Sequence, residues 1–116
     1  MKSKVIYLAS PYNHELDSVR IRNYEKVSEI AAEIVANGGV ALSPITYGHT
    51  LIGFRDNFPY DWPFWSNFCL SFLAKCDELY VIKMNGWDLS RGVAEEIKYA
   101  EENNIPITYI DYVEIE

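Results

Sequence analysis

The chain has 116 residues, of which 49% are hydrophobic, 15% aromatic and 23% charged. That is enough for one buried core in a single domain, residues 1–116, and it excludes a disordered polymer. Seventeen acidic against ten basic side chains leave a net charge of −7, which repels a phosphodiester backbone, so no polynucleotide partner is expected. A small anion stays open as a ligand, because a helix N-terminus and nearby hydroxyls supply local positive potential whatever the total charge. No stretch approaches the roughly 20 apolar residues of a membrane helix. The apolar run behind Lys4 is too short for an export signal, so a cytoplasmic protein without membrane contact is expected. Cys69 and Cys76, two turns apart if they share a helix, lie beyond disulfide reach and have no metal-ligand partner beside them. Two reduced, buried thiols and no metal site are the expectation.

In chain order, residues 4–10 (KVIYLAS) are a short apolar run closed by Ser-Pro, the pattern of a strand buried on both faces. From Asp17 or Ser18 as N-cap, Tyr24, Val27, Ala31, Ile34 and Val35 recur at helical spacing until Asn37, Gly38 and Gly39 end the helix. A second strand at 40–43 closes on the same Ser-Pro. Residues 46–76 hold most of the aromatic rings; their first half, broken by Gly48, Gly53, Pro59 and Pro63, reads as a long loop, and 65–75 reads as helical. A third strand at 78–83, a helix at 93–103 and a fourth strand at 107–110 complete an alternation of strands and helices. It implies a parallel sheet with a crevice at the strands' carboxyl ends.

The loops after strands one, two and three meet at that edge. They bring Ser10, Tyr12 and His14, then Ser43, Tyr47 and His49, then Trp87, Asp88 and Ser90 to one place. Ser90 is a good N-cap, and Gly92 leaves room for a ligand at the free N–H groups of the first turn, although a plain cap explains Ser90 as well. At 100° per residue, Val93, Ile97 and Ala100 form the buried stripe of this helix, with Glu96 at its margin and Glu95 pointing to water. Glu96 therefore borders the crevice, where desolvation would suit it to covalent or acid-base work; complementing the helix dipole is its plainer reading. His14 and His49 are candidates for proton transfer. The rings of Tyr47, Phe54, Phe58, Tyr60, Trp62, Phe64 and Trp65 offer either a face for a nucleobase or ordinary packing.

The strand YLASP, the helix ending in Gly-Gly, the strand ending SPI and the stretch GWDLSRGVAEEIKYA together resemble the nucleoside 2-deoxyribosyltransferase-like superfamily. The likeness is greatest to its small bacterial and phage branch, and the chain is similar to its deoxynucleoside 5'-monophosphate N-glycosidases. The resemblance covers nearly the whole chain, and Ser-x-Gly-Val-x-x-Glu is its most specific part. It implies a three-layer, flavodoxin-like or Rossmann-like α/β fold with a parallel sheet of four to five strands.

The resemblance also implies an activity: cleavage of an N-glycosidic bond in a nucleoside 5'-monophosphate or nucleoside, by hydrolysis or transfer, through a covalent glycosyl-glutamate. In those terms Glu96 is the nucleophile, Ser90 the phosphate contact and Tyr12 the substrate tyrosine. A phosphate is favoured because nucleoside-specific transferases carry an acidic residue where Ser90 stands. No cofactor is implied. The base needs a proton, and the window in which relatives carry an aspartate reads Asn67, Phe68, Cys69 here. Asp61 is the preferred replacement, ahead of Asp56 and Asp88, while Asp77 belongs to the sheet's far edge. The site expected is thus Glu96 and Asp61 for catalysis, with Ser10, Tyr12, His14, Ser43, His49, Trp62, Asp88, Ser90 and Gly92 for substrate. A homodimer or larger homo-oligomer is implied as well. The alternative is a nucleotide-binding module, or an interaction protein, with a degenerate site.

Overall fold

A computed structural model describes residues 3–112. Four strands, β1 (Val5–Ala9), β2 (Val40–Leu42), β3 (Glu78–Lys83) and β4 (Ile107–Asp111), form one parallel sheet in the order β2-β1-β3-β4. Between them run α1 (Asp17–Ala36), α2 (Pro44–Ile52), α3 (Trp62–Leu73) and α4 (Arg91–Glu102). Strands pair in register from Val5 with Val40 on one side of β1 and from Ile6 with Glu78 on the other.

Period-two alternation along the central strands sends side chains to two separate cores. Tyr7, Ala9, Leu79 and Val81 pack with Leu73 of α3 and with Val93 and Ala100 of α4. Leu8 and Ile82 face the other way and pack with Val27, Ile30 and Ile34 of α1. These helix-covered faces make the three-layer, flavodoxin-like α/β fold. Complete burial of Tyr7, Leu8, Leu79, Val81 and Ile82 is the main stabilising term, at about 1.5–3 kcal/mol for each large apolar side chain. Val35 is instead 55% exposed, so the apolar stripe of α1 is narrower than its sequence suggests.

Several boundaries differ from the sequence reading, each for a local reason. The N-cap of α1 is Leu16, whose carbonyl accepts from the Val19 and Arg20 amides; Asp17 lies inside the first turn, where its carboxylate pairs with Arg20. The first part of the stretch after β2 is not a loop but α2, while residues 53–61 are the loop expected there. Pro44 suits a first helical turn, the Ser43 hydroxyl accepts from the Thr46 amide at 3.1 Å, and Gly48 sits where a Cβ would lie 3.3 Å from the Trp65 ring. Likewise Pro63 opens α3 rather than breaking it, so that helix starts at Trp62. It ends at Leu73, which leaves Cys76 beyond the helix that carries Cys69; both thiols are free and buried. At the sheet's far edge the Asp77 carboxylate accepts from the Val5 amide at 2.8 Å. Among the described residues no helix is long and apolar enough to cross a membrane, and no cluster of three metal-ligating side chains occurs.

Candidate functional site

The chain leaves β1 to build α1 and β2 on one side, then returns past β1 to build β3 and β4 on the other. At such a reversal the loops after the two central strands diverge and open a crevice. A cleft of about 720 Å³ lies there. Ser10 from the end of β1, Asn85 and Gly86 from the end of β3, and Ser90, Arg91 and Gly92 from the start of α4 line its inner part. Gly86 holds φ +88°, a left-handed turn that glycine adopts without strain, directly after β3.

Glu96 reaches this cleft from the second turn of α4 and is only 4% exposed. The buried stripe of α4 is Val93, Glu96 and Ala100, so Glu96 stands at its centre rather than its margin, and Glu95 is half-buried rather than fully in water. The Tyr7 hydroxyl, from the middle of β1, donates to Glu96 Oε2. Burial pushes the Glu96 carboxyl up to about 8, and the Tyr7 hydrogen bond opposes that rise only in part. Tyr7 itself is raised well above the ordinary phenol range, first by burial and then by the neighbouring Glu96. The Cys69 thiol, on the cleft wall supplied by α3, is pushed up to about 12 by burial and by Glu96, so it stays protonated.

The other expected residues divide. Tyr12, His14, His49, Asp61 and Trp62 line the cleft, and Ser10 joins them with a buried hydroxyl that has no hydrogen-bond partner. Ser43 does not line it, because its hydroxyl faces back as the cap of α2. Asp88 does not either; it lies exposed in a short 3-10 turn, Trp87–Leu89. Ser90 lines the cleft, and its hydroxyl also caps α4 by accepting from the Val93 amide at 3.2 Å. The room expected over Gly92 is occupied: a Cβ there would lie 3.0 Å from Trp62 Cε3. That glycine therefore admits the indole where a side chain would stand, while its backbone lines the cleft. Asp61 is exposed, at the N-cap of α3, without a side-chain capping bond.

Most of the aromatic segment is packing. Tyr47, Phe58, Phe64, Trp65, Phe68 and Phe72 contact one another in a chain of stacked and edge-on rings, while Phe54 is 86% exposed. Tyr60, Trp62 and Trp65 also line the cleft. Over Tyr60 lies the Arg20 guanidinium, 4.1 Å from the ring centroid; the same guanidinium donates to the His14 carbonyl and pairs with Asp17. This joins the segment after β1 to the segment before α3 at the cleft's mouth. Tyr12 and His49 meet through a 2.8 Å hydrogen bond from phenol oxygen to Nδ1. Arg22, Asn23, Asn85 and Arg91 are cleft residues that sequence reasoning missed. Only the helical phase of Arg22 and Asn23 in α1, and the place of Asn85 just after β3, would have marked them.

Fold and cleft together define a doubly wound α/β protein with a ligand-sized crevice at its topological reversal. Residues 4–111 match the family model described as a domain of unknown function, DUF1937, and the chain belongs to that family. A comparison with curated proteins finds no match. Among solved structures, a 2-deoxyribosyltransferase from the psychrotolerant bacterium Bacillus psychrosaccharolyticus superposes with a TM-score of 0.60 and 21% identity, covering 97% of this chain and 76% of that one. At that identity the likeness carries the fold.

Proposed function

We propose that the protein cleaves the N-glycosidic bond of a nucleoside 5'-monophosphate or nucleoside, as a hydrolase or transferase, and stands in the small bacterial and phage branch of the 2-deoxyribosyltransferase-like proteins. The observation that carries this reading is a carboxyl group buried in the wall of a cleft at the sheet's reversal, held by a phenol from the central strand. A desolvated carboxylate is a strong nucleophile, and the Tyr7 hydrogen bond fixes one oxygen so that the other can face a sugar's C1'. Glu96 displaces the base and forms a glycosyl ester, which water or a second base then resolves. The N–H groups at the start of α4, with Ser90 and Arg91 beside them, suit a phosphate. The base takes its proton from a group lining the same cleft, where Asp61, His14, Tyr12 and His49 stand. Self-association into a homodimer or larger assembly belongs to the same reading, and sedimentation equilibrium tests it.

The activity is tested by incubating the purified protein with nucleosides and 5'-monophosphates and following free base by chromatography. Release is expected from the parent, and a loss on the order of 10⁴-fold or more from Glu96→Gln, as for other covalent nucleophiles. Equal release by both proteins sinks the assignment. A second reading is favoured by one feature: Cys69, not a carboxylate, occupies the cleft wall on α3. A nucleotide-binding module without turnover would bind members of the panel in calorimetry and release no base from any of them.

A further inference from the structure

The cleft contains a second polar assembly, separate from the Glu96–Tyr7 pair. Tyr12 follows β1 and His49 lies in α2, so different crossovers bring them together, and both line the cleft. The His49 ring stacks on Tyr24 of α1, with centroids 4.1 Å apart and planes 25° apart, and meets Tyr12 edge-on at 5.8 Å. Packing thus fixes the plane of the imidazole, and the 2.8 Å bond fixes which nitrogen meets the phenol. Asn23 holds the Tyr12 backbone by donating to its carbonyl at 3.3 Å. Burial, followed by the Arg20 charge, lowers His49 from its ordinary value, and burial pushes Tyr12 up to about 12.

The rival donors are less well placed. Asp61 is exposed and makes no capping bond. His14 is exposed too, and its Nδ1 already accepts from the Leu16 amide at 3.0 Å as part of the turn into α1. The Cys69 thiol would have to shed its proton beside the Glu96 carboxyl, which raises its affinity for that proton.

We propose that Tyr12 and His49 are the proton-transfer pair that protonates the departing base, with Tyr24 as the positioning residue for the imidazole. The proposal rests on the glycosidic reading above. In the first step a lone pair of Glu96 forms the C1'–O bond while the C1'–N bond breaks and its electron pair stays on the base nitrogen. Before attack Glu96 gives its proton to solvent and His49 takes one up, so that the Tyr12 hydroxyl proton goes to that nitrogen and the Nδ1 proton of the His49 imidazolium goes to the Tyr12 oxygen. Carboxylate and imidazolium thereby become ester and neutral imidazole, and the phenol is restored. In the second step water attacks C1', the Glu96 carboxylate leaves, and the proton released returns through Tyr12 to His49.

The test compares two leaving groups: the 5'-monophosphate released fastest in the panel, and 4-nitrophenyl 2-deoxyribofuranoside 5'-phosphate, whose nitrophenolate departs without a proton. Tyr12→Phe and His49→Gln are each expected to lose about 10²- to 10³-fold in kcat/KM on the nucleotide and less than about threefold on the nitrophenyl compound. Asp61→Asn is expected to leave the ratio of the two substrates unchanged. Turnover of the nitrophenyl compound doubles as the check on folding, and should one variant not fold, the other decides. Equal losses on both substrates, or a loss selective for the nucleotide in Asp61→Asn, overturn the pair while leaving the glycosidic reading intact. Failure of the parent to release either leaving group overturns the glycosidic reading and the pair with it.

Discussion

At the scale of the residue, Glu96 decides most. A carboxyl raised from its ordinary 4.5 to about 8 stays protonated in the folded protein over a range where the unfolded chain has lost the proton. Stability is therefore full below about 4.5 and declines as pH rises toward 8, by a few kcal/mol at most. Urea unfolding at acid and at mildly alkaline pH checks the sign: the parent's midpoint should fall on going alkaline, and Glu96→Gln should fall less and be the more stable protein at the alkaline end. On the mechanism proposed above, base release needs Glu96 ionised and His49 protonated together, so kcat/KM should pass through a maximum below about pH 8 and fall on either side of it. Helical phase separates Glu96 from Glu95 in the sequence and sets it at the margin of the buried stripe, and the family resemblance then singled it out for a role. Its depth was not legible, since a helical wheel cannot tell that a strand phenol waits beneath the helix. The partner, Tyr7, looked like one more apolar strand residue, as its hydroxyl acquires meaning only through a contact 89 positions away.

At the scale of the element, two serines that look alike in sequence do different work. Ser43 and Ser90 both cap helices, accepting from Thr46 and Val93 respectively, yet only Ser90 lines the cleft. Ser43→Ala should lower stability by about 1 kcal/mol and leave ligand affinity unchanged; Ser90→Ala should cost as much stability and also weaken binding of a 5'-monophosphate. Chemical denaturation with calorimetry on the same samples checks both halves. The strands and the two long helices were legible because their apolar periods are short and regular. The helix α2 was not: Gly48 and the prolines resemble punctuation until Ser43 is recognised as a cap, Pro44 as a first-turn residue and Gly48 as the seat of the Trp65 ring.

At the scale of the whole molecule, alternation of strands and helices predicted the parallel sheet and the crevice, and the order β2-β1-β3-β4 has them. What alternation does not carry is how far apart the crevice walls stand, because that depends on side chains meeting between helices. Here the spacing comes down to Gly92 and Trp62. The indole belongs to α3, lines the cleft, and rests where α4 has no side chain. A single methyl group, added by Gly92→Ala, would lie 3.0 Å from the ring, which would have to give by a few tenths of an ångström. The expected result is a KM raised roughly tenfold with kcat changed far less, a loss of ~1.4 kcal/mol in binding, read by steady-state kinetics on the released base. The aperture offered to a guest is thus set by an absent atom, and enlarging position 92 should retune which guests fit without touching any group that reacts with them.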